Sequence, residues 1–207
     1  MPSKDRASRP VRIAGCSGGF TDRTTALQRM AGDPEVDAVV GDWLAEMTMV
    51  VHGTGKSKNL AAGSKADLSL TERKKTAMYA ETFLQCFELC IDNLVKNDCK
   101  LCVNAGASDT ELLAEVVQEM LKDRGVDRKV SWISGDDVTP QVRALIKKGE
   151  KFESLMHGKA LEELGMDPIC AQAYLGGLCI AEAFRDGADI VLCGRVADAA
   201  PIIGVAA

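Results

Sequence analysis

The residues of this chain best suited to chemistry stand where short apolar runs give way to charge. In Ala188–Pro201, the run Ile190–Cys193 meets Gly194 and then presents Arg195 and Asp198. Such a run reads as a strand buried on both faces, with its carboxyl end at a site. The same grammar recurs at Ser17-Gly18-Gly19 with Asp22, at Gly41-Asp42 with Glu46, at Asn104-Ala105-Gly106, and at Gly135-Asp136-Asp137. Any one of these residues serves equally well as a helix cap. Several carboxylates converging on one arginine exceed what capping requires and point to a site. The candidate catalytic residues are Asp42, Asn104, Arg195 and Asp198. Arg195 suits bidentate capture of a carboxylate or phosphate. Asp42 and Asp198 suit orientation of that arginine, acid–base work, or a divalent metal.

The candidate substrate- or anion-binding residues are Ser17, Gly18, Gly19, Asp22, Glu46, Gly106, Asp136, Asp137 and Gly194. Ser17-Gly18-Gly19 before a helix offers backbone N–H groups to an anion, or is a plain tight turn. Asp42, Asp136, Asp137 and Asp198 together carry the expectation that a divalent metal is possible.

These residues need a sheet to gather them. Val11–Cys16, Val36–Val40, Lys100–Val103, Lys129–Ser134 and the run after Ala188 read as strands. A helix through Leu27 and Met30, capped by Thr21 or Asp22, follows the first strand; another, from Trp43 to about Val51, follows the second. His52–Ser69, with its glycines and lysines, reads as an exposed, basic, mobile loop. Thr71–Asn97 reads as one long helix, with apolar residues at three- and four-residue spacing. Ser108 or Asp109 caps a helix that Gly125 ends, and Pro140 opens one that reaches Lys148. Lys151–Asp167 is ambiguous, a short helical excursion, and Ile169–Arg185 reads as a buried helix interrupted at Gly176-Gly177. Strands alternating with helices imply an α/β fold, a mostly parallel sheet with flanking helices, the open doubly wound form favoured over a partial barrel. One domain is expected over 11–207, behind a flexible tail at 1–10.

Composition narrows the class of partner. The 207 residues carry a net charge of −5, which argues against a nucleic-acid scaffold, since that would need a basic face. No apolar stretch approaches a membrane span, and Met1–Pro10 lacks a signal-peptide core, so a cytoplasmic location is expected. Most of the eight cysteines lie within apolar runs and read as reduced, buried side chains.

Several motifs fail on their surroundings. Gly15-Cys16-Ser17-Gly18-Gly19 has the spacing of a nucleophile elbow but sits on the first strand, where that elbow normally follows several. Gly53-Thr54-Gly55-Lys56-Ser57 imitates a phosphate loop, yet Val50 stands where its first glycine belongs, so no nucleotide-triphosphate motif is present. Cys99 and Cys102 lead into a strand whose alternation parts them, unlike a redox pair. No NAD fingerprint occurs.

Taken in order, Arg12–Arg23, Val39–Thr48, Val103–Gly106, Gly135–Asp137, Ala173–Gly176 and Ala188–Asp198 resemble the acyclic terpene utilisation (AtuA-like) family over nearly the whole chain. The resemblance implies breakdown of branched terpenoid acids as acyl-CoA thioesters, among carboxylases, hydratases and dehydrogenases. It carries no established catalytic residues. It also implies family members that continue beyond Pro201–Ala207, so that this chain reads as truncated. Two functions follow as expectations. One is a hydratase- or lyase-type enzyme acting on a small-molecule acid or acyl-CoA. The other is a non-catalytic binding subunit that supports a partner enzyme or forms a homo-oligomer.

Overall fold

The computed structural model describes residues 9–19, 23–61, 68–165 and 167–207. Among the described residues five short strands form one parallel sheet: β1 (Ile13–Ser17), β2 (Ala38–Gly41), β3 (Lys100–Val103), β4 (Val130–Ile133) and β5 (Ile190–Cys193). Their order is β1-β2-β3-β5-β4, so β1 and β4 are the edges and the sheet is open. Among the described residues the helices are α1 (Ala26–Gly32), α2 (Glu46–Ala61), α3 (Leu70–Lys74), α4 (Glu81–Lys96), α5 (Thr110–Asp123), α6 (Thr139–Lys147), α7 (Leu178–Arg185) and α8 (Ala200–Ala206).

Alternation along each central strand builds two cores. Val39, Leu101, Val103, Ile190 and Leu192 face α1, α4 and α5. Val40, Cys102, Val191 and Cys193 face α7 and α8. The larger core rests on the stripe Phe83, Phe87, Cys90, Ile91 and Leu94 of α4, a helical spacing that turns one face inward. Trp43 meets the Phe83 ring edge-on, with centroids 5.3 Å apart.

This order places a switch point between β3 and β5. The chain leaves β3 through α5 on one face, passes over β5, and arrives at β4. After β5 it enters α8 on the other face, against β2 and β3. The carboxyl ends at such a divergence open a crevice. There the Gly106 N–H donates to the Cys193 carbonyl across 2.8 Å.

Three sequence expectations are corrected. His52–Ala61 is the second half of α2, where a loop was expected. Its glycines make that packing possible: a Cβ on Gly53 would stand 2.3 Å from Cys170 Sγ, and one on Gly55 2.2 Å from Met78 Sδ. The expected Thr71–Asn97 helix is two helices, because the chain between them bonds elsewhere. Met78 N–H donates to Asp109 Oδ2 and Ala80 N–H to the Ala105 carbonyl. In Ile169–Arg185 only α7 is helical; Ala171–Leu175 is instead an extended strap across the ends of β4 and β5. The ambiguous Lys151–Asp167 segment is turns and an isolated Glu153–Ala160 bridge over its described residues. The expected caps Thr21 and Asp22 lie outside the described residues, and Asp109 takes the N-cap position of α5 without a side-chain cap bond. All eight cysteines are free; six are buried, Cys170 is half-buried and Cys179 is exposed.

Candidate functional site

The carboxyl edge of the sheet gathers the candidate residues into three groups. In the first, the β2 and β3 ends are laced together. Asn104, fully buried, receives the Trp43 N–H on its Oδ1 at 2.7 Å and donates through Nδ2 to Asp42 Oδ1. Asp42 Oδ1 also accepts the Leu44 N–H at 3.2 Å. Both ends of the Asn104 amide are thus occupied by the loop that launches α2. Ser17 Oγ lies 3.0 Å from the Asp42 carbonyl and accepts the Gly19 N–H at 3.3 Å. That N–H of the glycine loop is turned inward. Gly18 lines a separate hollow of about 460 Å3 with Arg23 and Arg29. Asp22 lies outside the described residues.

The second group surrounds Arg195, only 2% exposed. Its Nη1 donates to the Val196 carbonyl at 2.8 Å and its Nη2 to Asp198 Oδ1 at 2.9 Å, with Glu46 Oε1 farther off at 3.5 Å. The guanidinium carbon sits 4.2 Å over the Tyr174 ring, a cation–π stack. Tyr174 in turn donates its hydroxyl to Glu46 Oε1, which holds the Glu46 carboxyl below its ordinary range. The strap supplies Tyr174. Its backbone bonds Asp136 O through Ala173 N at 2.7 Å, and Leu175 O accepts from Ala197 N at 2.9 Å.

The third group lines a cavity of about 880 Å3 between the β4 end, the start of α5, α2 and α3. Asp136 and Asp137 stand side by side in it with Lys56, Ser134 and Trp132. Asp136 is 5% exposed and takes the Arg195 backbone N–H on Oδ2 at 2.8 Å. Burial pushes its carboxyl above the ordinary range, and that hydrogen bond offsets only part of the rise. Asp137 moves the other way. Its burial is outweighed by the Thr139 hydroxyl at 2.6 Å, the Thr139 N–H and the Lys56 ammonium at 3.2 Å, so its carboxyl lies below the ordinary range. Lys56 is aimed by a second bond, to the Ser108 carbonyl at 2.7 Å. Gly194 passes close to Asp136, and Gly106 packs against Thr110.

The structure therefore brings Arg195 to Asp198 and Glu46, Asp42 to Asn104 and Ser17, and Asp136 to Asp137. It does not bring the four aspartates into one cluster. Among the described residues no three His, Cys, Asp or Glu side chains are grouped as metal ligands. Lys56, Thr139, Trp132 and Tyr174 were absent from the sequence candidates. Tyr174 lay within a motif that carried the family resemblance and Lys56 within the rejected imitation of a phosphate loop; Thr139 and Trp132 were not singled out.

The sequence profile of the acyclic terpene utilisation family protein AtuA matches residues 11–207. The chain belongs to that family. The AtuA match thus spans every strand and each of the three groups, and it places the protein in acyclic terpene utilisation. A search of curated proteins gives no match. Among solved structures, a xylose isomerase domain protein from Planctomyces limnophilus aligns at 13% identity over 94% of this chain and 93% of its own, with a TM-score of 0.21. That likeness is too slight to bear on the fold or function of this AtuA-family chain. No helix among the described residues is long and apolar enough to cross a membrane.

Proposed function

We propose that this AtuA-family protein is a cytoplasmic enzyme of hydratase or lyase type, acting on branched acids carried as acyl-CoA thioesters. The observation that carries the reading is the Asp136–Asp137 pair. Two neighbouring carboxyls in one cavity are pushed in opposite directions, which is how a site divides an acid from a base. Asp136, whose burial favours the protonated form, serves as the acid. Asp137, held ionised by Thr139 and Lys56, serves as the base.

In hydration of an α,β-unsaturated thioester, Asp137 takes a proton from water as the water oxygen bonds to the β-carbon. The carbon–carbon π electrons then take the Asp136 proton at the α-carbon. Dehydration runs the same steps backwards. The cavity size suits a small ligand, Trp132 gives it an apolar wall, and Lys56 and Arg73 are the cations that a coenzyme's phosphates would meet. Arg195 acts on this pair through its backbone N–H, which fixes Asp136.

The test is hydration of 3-methylcrotonyl-CoA, followed by loss of enoyl-thioester absorbance, in the wild type, Asp136→Asn and Asp137→Asn. General acid–base groups contribute about 10²- to 10⁴-fold, so each variant should lose that much. No turnover by the wild type, or full turnover by both variants, refutes the reading.

A second reading, a binding subunit that assembles with a second copy or a partner enzyme, is favoured by one feature. Leu178 on α7 and Ile202 and Ile203 on the adjacent α8 are exposed. Light scattering decides it: a dimer supports assembly, and a single-chain mass that persists when a purified acyl-CoA carboxylase is added argues against it.

A further inference from the structure

We propose that Arg195 is a receptor for a ligand carboxylate, covered by a latch made of Tyr174 and Glu46. This does not depend on the acid–base reading, because the Arg195 side chain lies outside the residues that line the large cavity.

The first ground is an incomplete guanidinium. Nη1 is satisfied by the Val196 carbonyl and Nη2 by Asp198, but Nε is buried and has no hydrogen-bond partner. A buried donor left unpaired is costly, and native structures rarely keep one without a reason. Nε and Nη2 form the side edge of the guanidinium, the edge that a carboxylate grips with two parallel hydrogen bonds. Here that edge is half used.

The second ground is the nature of the cover. The two carboxylates near Nη2 belong to side chains that are themselves largely in solvent, Asp198 at 73% and Glu46 at 76% exposed. Neither pays a burial cost to stay, and Glu46 stands at 3.5 Å, a contact long enough to surrender. Glu46 is held there chiefly by the Tyr174 hydroxyl. Tyr174 lies on the face of the guanidinium and is half-exposed at the surface. A ligand carboxylate that takes Nε and Nη2 replaces Glu46 and moves the exposed Asp198 carboxylate off Nη2, frees the Tyr174 hydroxyl and lets the ring swing aside. The ligand class is a small free carboxylate, the group that the open Nε–Nη2 edge accepts.

Isothermal titration with 3-methylbutanoate tests the proposal, with 3-methylbutanamide as the neutral control and inorganic phosphate as a competing oxyanion. The wild type should bind the carboxylate saturably and the amide not at all. Glu46→Gln removes the competing charge and should tighten binding about two- to five-fold, the worth of an exposed ion pair. Tyr174→Phe keeps the ring, loses the latch bond and should also tighten it. Arg195→Lys should abolish binding, since an ammonium lacks the side edge. Asp137→Asn, which does not touch Arg195, should keep the carboxylate heat while losing hydration, so the two proposals fail separately. Equal binding of acid and amide, no binding in both wild type and Glu46→Gln, weaker binding in Glu46→Gln, or stronger binding of phosphate than of the carboxylate overturns the proposal.

Discussion

Substitution of Gly194 by alanine strikes the contact that joins the β4 and β5 ends. The added Cβ would lie 2.3 Å from Asp136 Oδ2 and 2.5 Å from Oδ1, well inside van der Waals contact. Asp136 cannot yield easily. It is buried, and its Oδ2 holds the Arg195 N–H at 2.8 Å. Two costs combine: overpacking of a close-packed site, about 1–3 kcal/mol, and loss of a buried hydrogen bond, about 1–3 kcal/mol. Because relieving one partly relieves the other, we expect a net loss of about 2–4 kcal/mol. In a chain of this length each kcal/mol moves Tm by about 2–4 °C, so Tm should fall by roughly 4–16 °C. Thermal unfolding followed by circular dichroism measures it. Gly176→Ala is the matched control: nothing lies within 4 Å of its Cβ, and its stability should stay within about 0.5 kcal/mol of wild type. A Gly194→Ala protein as stable as the Gly176→Ala protein would show that the Asp136–Gly194 packing is not as described.

Other expectations follow from the same edge. Because burial raises the Asp136 carboxyl, its ionisation costs stability as pH rises through the raised value and costs nothing below the ordinary carboxylate range. Asp136→Asn should therefore be more stable than wild type at neutrality, with the gain closing in acid; urea titrations across that range check it. Asp137 has the opposite sign: its stabilisation is present above the ordinary range and is lost as pH falls through its lowered value. Thr139→Val and Lys56→Met should each raise the Asp137 carboxyl, moving the acid limb of the hydration profile upward, as a pH–rate series would show. Asn104→Ala leaves the buried Trp43 N–H unpaired and should cost about 1–3 kcal/mol in a denaturant melt.

The parts of this molecule legible from sequence are those governed by local pattern. Ile190–Cys193 reads as a buried strand because four apolar residues lie between charge and glycine, and the structure places β5 on those residues. The parallel sheet follows from that grammar repeated. The misreadings come from tertiary contacts that override propensity. Gly53 and Gly55 look like loop formers until Cys170 and Met78 are seen packed against them. Ile169–Leu175 looks helical until its backbone is seen bonding the strand ends. At the candidate site, strand position brought forward Arg195 as a catalytic candidate and Asp136 and Asp137 as substrate- or anion-binding ones. Which carboxyl is buried, and which has a lysine from α2 beside it, is set by residues far away in the chain, whereas Thr139 lies only two residues from Asp137. Asn104, a catalytic candidate by type and position, also braces the loop that launches α2 through two amide bonds.

The most direct test of the account is a carboxyl titration of the folded protein by carbon-detected NMR, with Asp136 and Asp137 assigned through their asparagine variants. The account predicts that Asp136 titrates above the ordinary aspartate range and Asp137 below it, in one cavity. Two ordinary values, or the reverse order, would contradict the assignment of acid and base on which the proposed chemistry stands.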